Sequence, residues 1–412
     1  MASLVVATCG VPPALSADGD LDATFGDAGV VTTVFPVGSF ATAVATQADG
    51  KIVAVGAAAG PSETGEFALV RYDENGTLDP SFGVSGLVTT PIAGGGDEAR
   101  SVAIQENGRI VVAGTDSWRR FAVIRYRPTG VLDESFGGGD GIVRTNFTRG
   151  DDVAFDVAIQ PDGKIVAVGG AGFGMLGFQL ARYRRDGTLD PAFGDDGKVV
   201  TGYERANART VTIQSNGRIV LAGYNTTGFA MARYRPDGRL DRSFSDNGTI
   251  DHVFGTWSPL RNLFAGAVAL QPDGRIVAAG GYDIFEIGLA RFRTDGSLDR
   301  TFNGDGVMHI HVDGVEQSAN GLVIQPDGRI VASGYAGPHE FADPDVFRFV
   351  LIRALRRGHL DRTFGDRGRV ATFFEGGAFA YGATADADGR VVVVGGAEEG
   401  NRGSFALARY VV

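Results

Sequence analysis

The chain has 412 residues, a formal net charge of −11 and 63 glycines, but a single cysteine, Cys9. The acidic balance argues against a nucleic-acid partner or an anionic membrane surface. One cysteine excludes an internal disulfide and a cysteine-based metal cluster. No apolar run reaches the roughly 18 residues of a membrane span, so we expect no transmembrane segment. The glycine excess, about twice the usual share, has to be placed in many turns.

The first 17 residues read MASLVVATCGVPPALSA and differ from everything that follows. A short apolar run followed by small residues near Ala17 is typical of a cleaved export signal, but the positive charge that usually precedes such a run is missing. Residues 1–17 are therefore interpreted as an export signal or a disordered N-terminus. An extracellular or cell-envelope location and a cytoplasmic one both stay open.

From residue 18 onwards, three short patterns recur seven times in fixed order. The first is a polar turn followed by an apolar run, as in PDGKIVAVG; its copies start at Ala48, Glu106, Pro161, Ser215, Pro272, Pro326 and Ala387. The second is FALVRY, with copies at Phe67, Phe121, Phe178, Phe229, Ile287, Phe349 and Phe405. The third is LDPSFG, with copies at Leu21, Leu78, Leu132, Leu189, Leu240, Leu298 and Leu360.

Each repeat unit is predicted to consist of four β-strands. SVAIQ, before Glu106, alternates apolar and polar residues, and an Asn-Gly turn then leads into RIVVAG, which is the signal of a β-hairpin. FAVIRY supplies a third strand and GIVRT, from Gly141, a fourth. A repeat of 51 to 62 residues, measured between successive LDxxF aspartates, suits a four-stranded propeller blade.

The two ends of the repeat region complement each other. The region begins with a third pattern and a fourth strand, and it stops after a second pattern at FALARYVV. Pairing the first strand with the last three closes a ring without exposed sheet edges. We therefore predict that residues 18–412 form one domain, an all-β, seven-bladed β-propeller of four-stranded antiparallel blades, in which an N-terminal strand completes the last blade. An open β-solenoid is the alternative.

The blocks IQPDGKIV, FALVRY and LDPSFG resemble those of the bacterial delta-60 repeat family, over about residues 18–412. The resemblance implies a β-propeller, often on exported bacterial proteins, and brings neither an established activity nor catalytic residues. Four local departures put the register of their units in doubt: Ser245, Asn303, Ala354-Leu355 and Asp386.

An arginine of the third strand and the aspartate of LDxxF recur in all seven units. Strand alternation places this arginine on the same buried side as two apolar residues, so it needs an acidic partner. We predict one structural ion pair per blade, the last across the ring closure: Arg71–Asp79, Arg125–Asp133, Arg182–Asp190, Arg233–Asp241, Arg291–Asp299, Arg353–Asp361 and Arg409–Asp22.

The sequence indicates no catalytic site and no cofactor. No nucleophile, zinc or phosphate-loop motif is present. His309 and His311 alternate on one strand and are the metal candidates. They are weak candidates, because that strand is predicted to be the outermost of its blade. The acidic turns at Gly194 and Asn303 leave calcium open, although they lack the spacing of a calcium loop.

The two faces of the predicted ring differ in their loops. The QPDG-like turns and the DGxLDxxFG segments share one face and barely vary, provided that LDxxF is a connection and not a strand. The loops of the other face vary in length and chemistry, which suggests that they bind a partner. We expect a monomeric, non-catalytic binding scaffold for a protein or carbohydrate ligand; a lyase or hydrolase with its site at the channel mouth is the alternative. The candidate binding residues in these variable loops are Trp118, Arg119, Trp257, Arg261, His339 and Glu340.

Overall fold

In the computed structural model, the sevenfold repeat forms a seven-bladed β-propeller, which confirms the predicted fold. Among the residues that the structure describes, 28 strands form seven four-stranded antiparallel sheets. The strand labels used below follow chain order. The residues that the structure describes are 17–60, 65–92, 94–117, 119–148, 150–171, 177–202, 206–226, 228–251, 253, 264–283, 286–312, 316–337, 347–399 and 402–412.

In six of the seven blades the strands follow one another along the chain, with the first strand nearest the axis. Blades 1 to 3 contain β2 (Ser39–Thr46), β3 (Ile52–Ala59), β4 (Gly65–Tyr72), β5 (Leu87–Thr90), β6 (Glu98–Ile104), β7 (Ile110–Asp116), β8 (Arg120–Tyr126), β9 (Ile142–Thr145), β10 (Asp152–Ile159), β11 (Ile165–Ala171), β12 (Gln179–Tyr183) and β13 (Lys198–Val200). Blades 4 to 6 contain β14 (Asn207–Ile213), β15 (Ile219–Asn225), β16 (Gly228–Tyr234), β17 (Thr249–Asp251), β18 (Phe264–Leu270), β19 (Ile276–Asp283), β20 (Glu286–Phe292), β21 (Val307–Ile310), β22 (Glu316–Ile324), β23 (Ile330–Gly337), β24 (Arg348–Ala354) and β25 (Arg369–Thr372).

Blade 7 closes the ring by combining the two ends of the repeat region. It contains β26 (Ala378–Ala385), β27 (Val391–Glu399), β28 (Arg402–Tyr410) and, from the start of the chain, β1 (Val30–Thr33). Strand β1 pairs antiparallel with β28. The predicted closure is thus confirmed, and each end of the repeat supplies the strand partner that the other lacks.

The hydrophobic core lies between adjacent blades. In β4, Phe67 and Leu69 pack with residues of blade 2, whereas Ala68 and Val70 pack with residues of blade 7. Both sides of a middle strand are therefore buried, which explains why FALVRY is apolar at successive positions.

The LDxxF segment connects the third strand to the fourth and is not a strand of its own. Leu78 forms a single bridge to Tyr72, and β4 pairs directly with β5. The chain direction therefore places the first-to-second and third-to-fourth connections on one side, here called the uniform face. The other connections form the opposite side, the variable-loop face.

The local departures from the repeat pattern do not disturb the blades. Ser245 and Asn303 replace an LDxxFG glycine and adopt the same left-handed backbone, each with φ 52°. Ala354 keeps the register of β24 by pairing with Ile330. Asp386 replaces the recurring glutamine and accepts a hydrogen bond from Arg390 Nε at 2.7 Å. The strands of these units therefore keep the register of a regular blade.

Candidate functional site

The recurring arginines and aspartates form the predicted pair in all seven blades. Arginine Nε donates to aspartate Oδ2 at 2.8–3.0 Å in every case. Both side chains of each pair are almost completely buried. The seven pairs are Arg71–Asp79, Arg125–Asp133, Arg182–Asp190, Arg233–Asp241, Arg291–Asp299, Arg353–Asp361 and Arg409–Asp22.

Each arginine also ties its blade to neighbouring groups. The Nη1 of Arg71 donates to the carbonyl of Pro128, in the next blade. The guanidinium lies 4.5 Å from the ring centre of Phe82, which is the phenylalanine of LDxxF. At the ring closure, Arg353 instead donates to Asp18 Oδ2 at 2.7 Å. The recurring arginine, aspartate and phenylalanine therefore join one blade to the next.

A second cation supports the aspartate in several blades. Arg109 Nε, from a first-to-second turn, lies 2.8 Å from Asp133 Oδ2. Burial would raise the pKa of Asp133, but hydrogen bonds from Ser135 and the charge of Arg125 outweigh burial and lower the pKa to about 2. These carboxylates are therefore ionised at neutral pH, which suits a structural ion pair and not a proton donor.

The predicted metal candidates do not form a cluster in the described chain. His309 is exposed on β21, the outermost strand of blade 5, and the exposed His311 follows the strand. Among the described residues, no group of three or more His, Cys, Asp or Glu side chains could hold a metal ion. The residues at Gly194 and Asn303 form turns, with φ of +55° and 52°.

Most of the predicted loop residues lie outside the described residues: Trp118, Trp257, Arg261, His339 and Glu340. The sixth, Arg119, is exposed on the variable-loop face. Its backbone N–H donates to the carbonyl of Asp116 at 2.8 Å. Their role in binding stays a prediction.

The structure brings together a different set of side chains, at the central channel. Every innermost strand contains a β-bulge at the same place, four residues before the strand ends. A bulge re-aims the side chain of its extra residue, and here all seven bulge residues line the channel. The bulge residues are Thr42, Arg100, Phe155, Arg209, Gly266, Asn320 and Tyr381.

A recurring glycine makes room for each bulge. Gly114, in β7, lies opposite Ala99, beside the bulge at Arg100. A Cβ on Gly114 would lie 2.0 Å from the carbonyl oxygen of Glu98. The carbonyl of the bulged strand thus occupies the space of a side chain, so only glycine fits there. This glycine ends the apolar run of the first repeat pattern in every unit.

The channel opens on the variable-loop face through a cavity of about 510 Å³, here called the channel mouth. Its charged residues are Arg100, Arg209 and Glu98. Arg100 Nη2 forms an ion pair with Glu98 Oε2 at 2.7 Å. The guanidinium of Arg209 lies 4.1 Å from the ring centre of Phe155 and 5.5 Å from that of Tyr224.

Burial changes the acid–base behaviour of this cavity. It raises the pKa of Glu98, although the charges of Arg100 and Arg209 oppose the change. Burial also raises the pKa of the Tyr381 phenol against the opposing charge of Arg100. Near neutral pH, Tyr381 is therefore a protonated phenol, able to donate a hydrogen bond.

A further carboxylate, Asp156, lies just beyond Phe155 along the channel wall. Its oxygens accept hydrogen bonds from Ser101 Oγ at 2.6 Å, Val211 N at 2.7 Å and Val157 N at 2.8 Å. Because the donors belong to three successive blades, this carboxylate holds the channel wall together. Burial raises its pKa.

Aromatic side chains form the outer part of the channel mouth. Phe40 and Tyr381 are 37% and 38% exposed, although both are large and hydrophobic. Tyr335 also faces this cavity, and its ring packs edge-on against Phe379 with centroids 5.1 Å apart. Exposed rings beside buried charges are typical of a ligand site.

The channel mouth was expected only as the site of the alternative lyase or hydrolase, and none of its residues was predicted, although a signal was present. In every repeat the residue before the bulge is alanine: Ala41, Ala99, Ala154, Ala208, Ala265, Ala319 and Ala380. The next residue differs strongly from copy to copy. A position that varies inside an otherwise uniform strand indicates a role that is not structural.

Comparisons with known proteins agree with this architecture. Five segments match the family model described as a domain of unknown function (DUF5122) beta-propeller, at residues 47–82, 105–136, 160–193, 214–244 and 271–302. The match supports β-propeller repeats in these five segments. No curated protein matches the chain.

Solved structures resemble this chain at low sequence identity. A fungal alcohol oxidase of the AA5 family, in complex with copper, is 14% identical with a TM-score of 0.50, over 92% of this chain and 76% of that one. A protein of unknown function from Dyadobacter fermentans is 15% identical, with a TM-score of 0.43 over 93% and 98% of the two chains. The likeness to the oxidase, at 14% identity, extends to the fold alone. The described part of our chain contains no helix long and apolar enough to cross a membrane.

Proposed function

We propose that this protein is a non-catalytic binding module that holds a small ligand, or the end of a larger one, at the channel mouth. The variable loops around that opening would add contacts to a protein or carbohydrate partner. The repeats resemble the delta-60 family, so the proposal includes a bacterial protein of the cell envelope or the extracellular space.

The observation that carries the proposal is the contrast between two kinds of repeated position. The arginine and aspartate of the uniform face are the same in all seven blades. The bulge residues are threonine, arginine, phenylalanine, arginine, glycine, asparagine and tyrosine, although the backbone that presents them is the same. A sevenfold ring does not need different side chains at this position for its stability, whereas the recognition of an asymmetric ligand does need them.

A lyase is the second candidate, because Tyr381 faces the same cavity as Arg100 and Arg209. An arginine can neutralise a substrate carboxylate, and a tyrosinate could then remove the neighbouring proton. The raised pKa of Tyr381 opposes this role, since the phenol would stay protonated near neutral pH. Of the described histidines, His309 lies on the outermost strand β21, His311 follows it, and His359 lies in the β24–β25 connection, and none of the three lines the channel mouth.

The experiment is a glycan array probed with labelled protein, followed by analysis of each bound glycan after prolonged incubation. The proposal predicts reversible binding with recovery of intact ligand. Asn320→Trp, at a bulge position, should fill the channel mouth and abolish binding. Val84→Trp adds the same ring at an 80% exposed position of the uniform face and should bind normally. Degradation of the ligand, or equal binding by both variants, would overturn the proposal.

A further inference from the structure

The two arginines of the channel mouth differ in whether they form an ion pair with a protein carboxylate. Arg100 is engaged by Glu98 at 2.7 Å. Among the residues that the structure describes, Arg209 has no carboxylate within ion-pair distance. Arg209 interacts with the charge of Glu98 only at longer range, so it is a guanidinium without an ion-pair partner among these residues. Such a group attracts an anion.

We propose that the channel mouth binds a carboxylated sugar, with the carboxylate on Arg209 and the sugar ring against Tyr381 or Phe40. This inference rests on the proposed binding function and names its ligand class. The orientation of Arg209, the contacts of the nearby acids and the chemistry of the rim support this ligand class.

Arg209 is oriented for two-point recognition. The guanidinium carbon of Arg209 lies over the Phe155 ring, 4.1 Å from the ring centre. Stacking on a ring leaves the N–H groups in the guanidinium plane available, and their fork geometry matches a carboxylate with two parallel hydrogen bonds. Tyr224, at 5.5 Å, limits the side chain further. The group is therefore held in place before a ligand arrives, which lowers the entropy that binding costs.

The nearby acids do not cancel this charge. Glu98 lies against Arg100, and both belong to β6. The oxygens of Asp156 are taken by three donors in the channel wall. A ligand carboxylate would thus meet Arg209 first and Arg100 second, without displacing a protein carboxylate from Arg209.

The rim favours a sugar over a simple anion. The C–H face of a pyranose ring is apolar and packs against aromatic rings, and Phe40 and Tyr381 expose theirs to the cavity. Asn320 and Ser318 provide amide and hydroxyl groups beside them. A volume of about 510 Å³ lies within the usual range for small-ligand sites and holds about one or two sugar units.

The test is isothermal titration calorimetry of the full chain with D-glucuronate. D-glucose is the neutral match, acetate the carboxylate without a ring, and sulfate the inorganic anion. We expect measurable binding of glucuronate and at least about tenfold weaker binding of the other three. Arg209→Gln should weaken glucuronate binding by about tenfold or more, and Arg209→Lys, which keeps the charge but loses the fork, by less.

The control is Arg239→Gln, in a turn of the uniform face with an 81% exposed side chain, which should bind like the native protein. Thermal unfolding of each variant shows that it is folded. Equal binding of glucose and glucuronate would overturn this inference while leaving the proposed binding function standing. Equal binding of acetate or sulfate, or no binding of glucuronate, would overturn it as well. The glycan array tests the binding function separately.

Discussion

Arginines serve opposite purposes on the uniform face and at the channel mouth of this propeller. On the uniform face, seven arginines make the same Nε contact to an aspartate, and each lies over the phenylalanine of the same LDxxF segment. At the channel mouth, two of seven equivalent positions are arginine, and the other five carry unrelated side chains. Residues that repeat in every blade therefore build the ring, whereas residues that vary at one repeated backbone position are available to contact a ligand.

If the uniform face holds the ring together by ionised carboxylates, acid should dismantle it. All seven LDxxF aspartates have a lowered pKa, about 2 for Asp133 and Asp241. A group whose pKa is lower in the folded state stabilises it fully above its unfolded pKa and loses this contribution as pH falls. We therefore expect the largest effect here, a steep fall of Tm between about pH 4 and pH 2.

The measurement is Tm by circular dichroism across this pH range. Asp133→Asn should make the fall of Tm at low pH smaller, whereas Asp246→Asn, at an exposed position, should leave this fall unchanged. A Tm that stays level down to about pH 2 would show that these pairs contribute little to the ring.

The second prediction removes one arginine of the uniform face. Arg71→Met keeps much of the side-chain volume but leaves the buried Asp79 without its cation. We expect a loss of about 3–5 kcal/mol in the free energy of unfolding, measured by urea denaturation. Arg239→Met, at an exposed ion pair, should cost less than about 1 kcal/mol. Similar losses in both variants would mean that burial of the pair does not matter.

The third prediction concerns the link between bulge and glycine. Gly114→Ala would place a Cβ 2.0 Å from the Glu98 carbonyl oxygen, so the strands must shift. We expect a loss of about 2–3 kcal/mol in the free energy of unfolding. Gly202→Ala is the control, because a Cβ there meets nothing within 4 Å and no positive φ is involved. If both glycines tolerate alanine equally, the bulge does not require its glycine.

The ring could be predicted from the sequence because its determinants are repeated and local. The Asn-Gly and Asp-Gly turns, the apolar runs and the complementary ends all specify the same blade. The arginine–aspartate pairs followed from strand alternation, since Phe67, Leu69 and Arg71 had to share one buried side.

The residues that line the channel mouth could not be predicted by the same reasoning. Alternation assigns the first strand of each unit to two faces, but a bulge breaks the alternation and turns one extra residue towards the axis. A glycine in the partner strand accompanies each bulge, but in the sequence it looks like the ordinary end of an apolar run. The convergence of seven bulges depends on ring closure, so no single unit reveals the site.

The smallest expected effect concerns hydrogen bonds that join neighbouring blades. Tyr126 Oη donates to Thr90 Oγ1 at 2.9 Å, and four other tyrosines make the equivalent bond. Blade 5 has Phe292 at this position. Tyr126→Phe should therefore fold normally and cost about 1 kcal/mol in urea denaturation. A loss above about 3 kcal/mol would show that this bond contributes more to the ring than the natural phenylalanine in blade 5 suggests.

The most direct test compares two arginines of the same blade. Arg209, on β14, faces the channel, and Arg233, on β16, binds Asp241 at 2.9 Å. Glucuronate affinity and the free energy of unfolding are measured for Arg209→Gln and Arg233→Gln. We predict that the first variant loses affinity by about tenfold and keeps its stability within about 1 kcal/mol, while the second loses stability and keeps its affinity. The reverse pattern, or equal losses of both properties in both variants, would contradict the separation of ring-building and ligand-binding arginines.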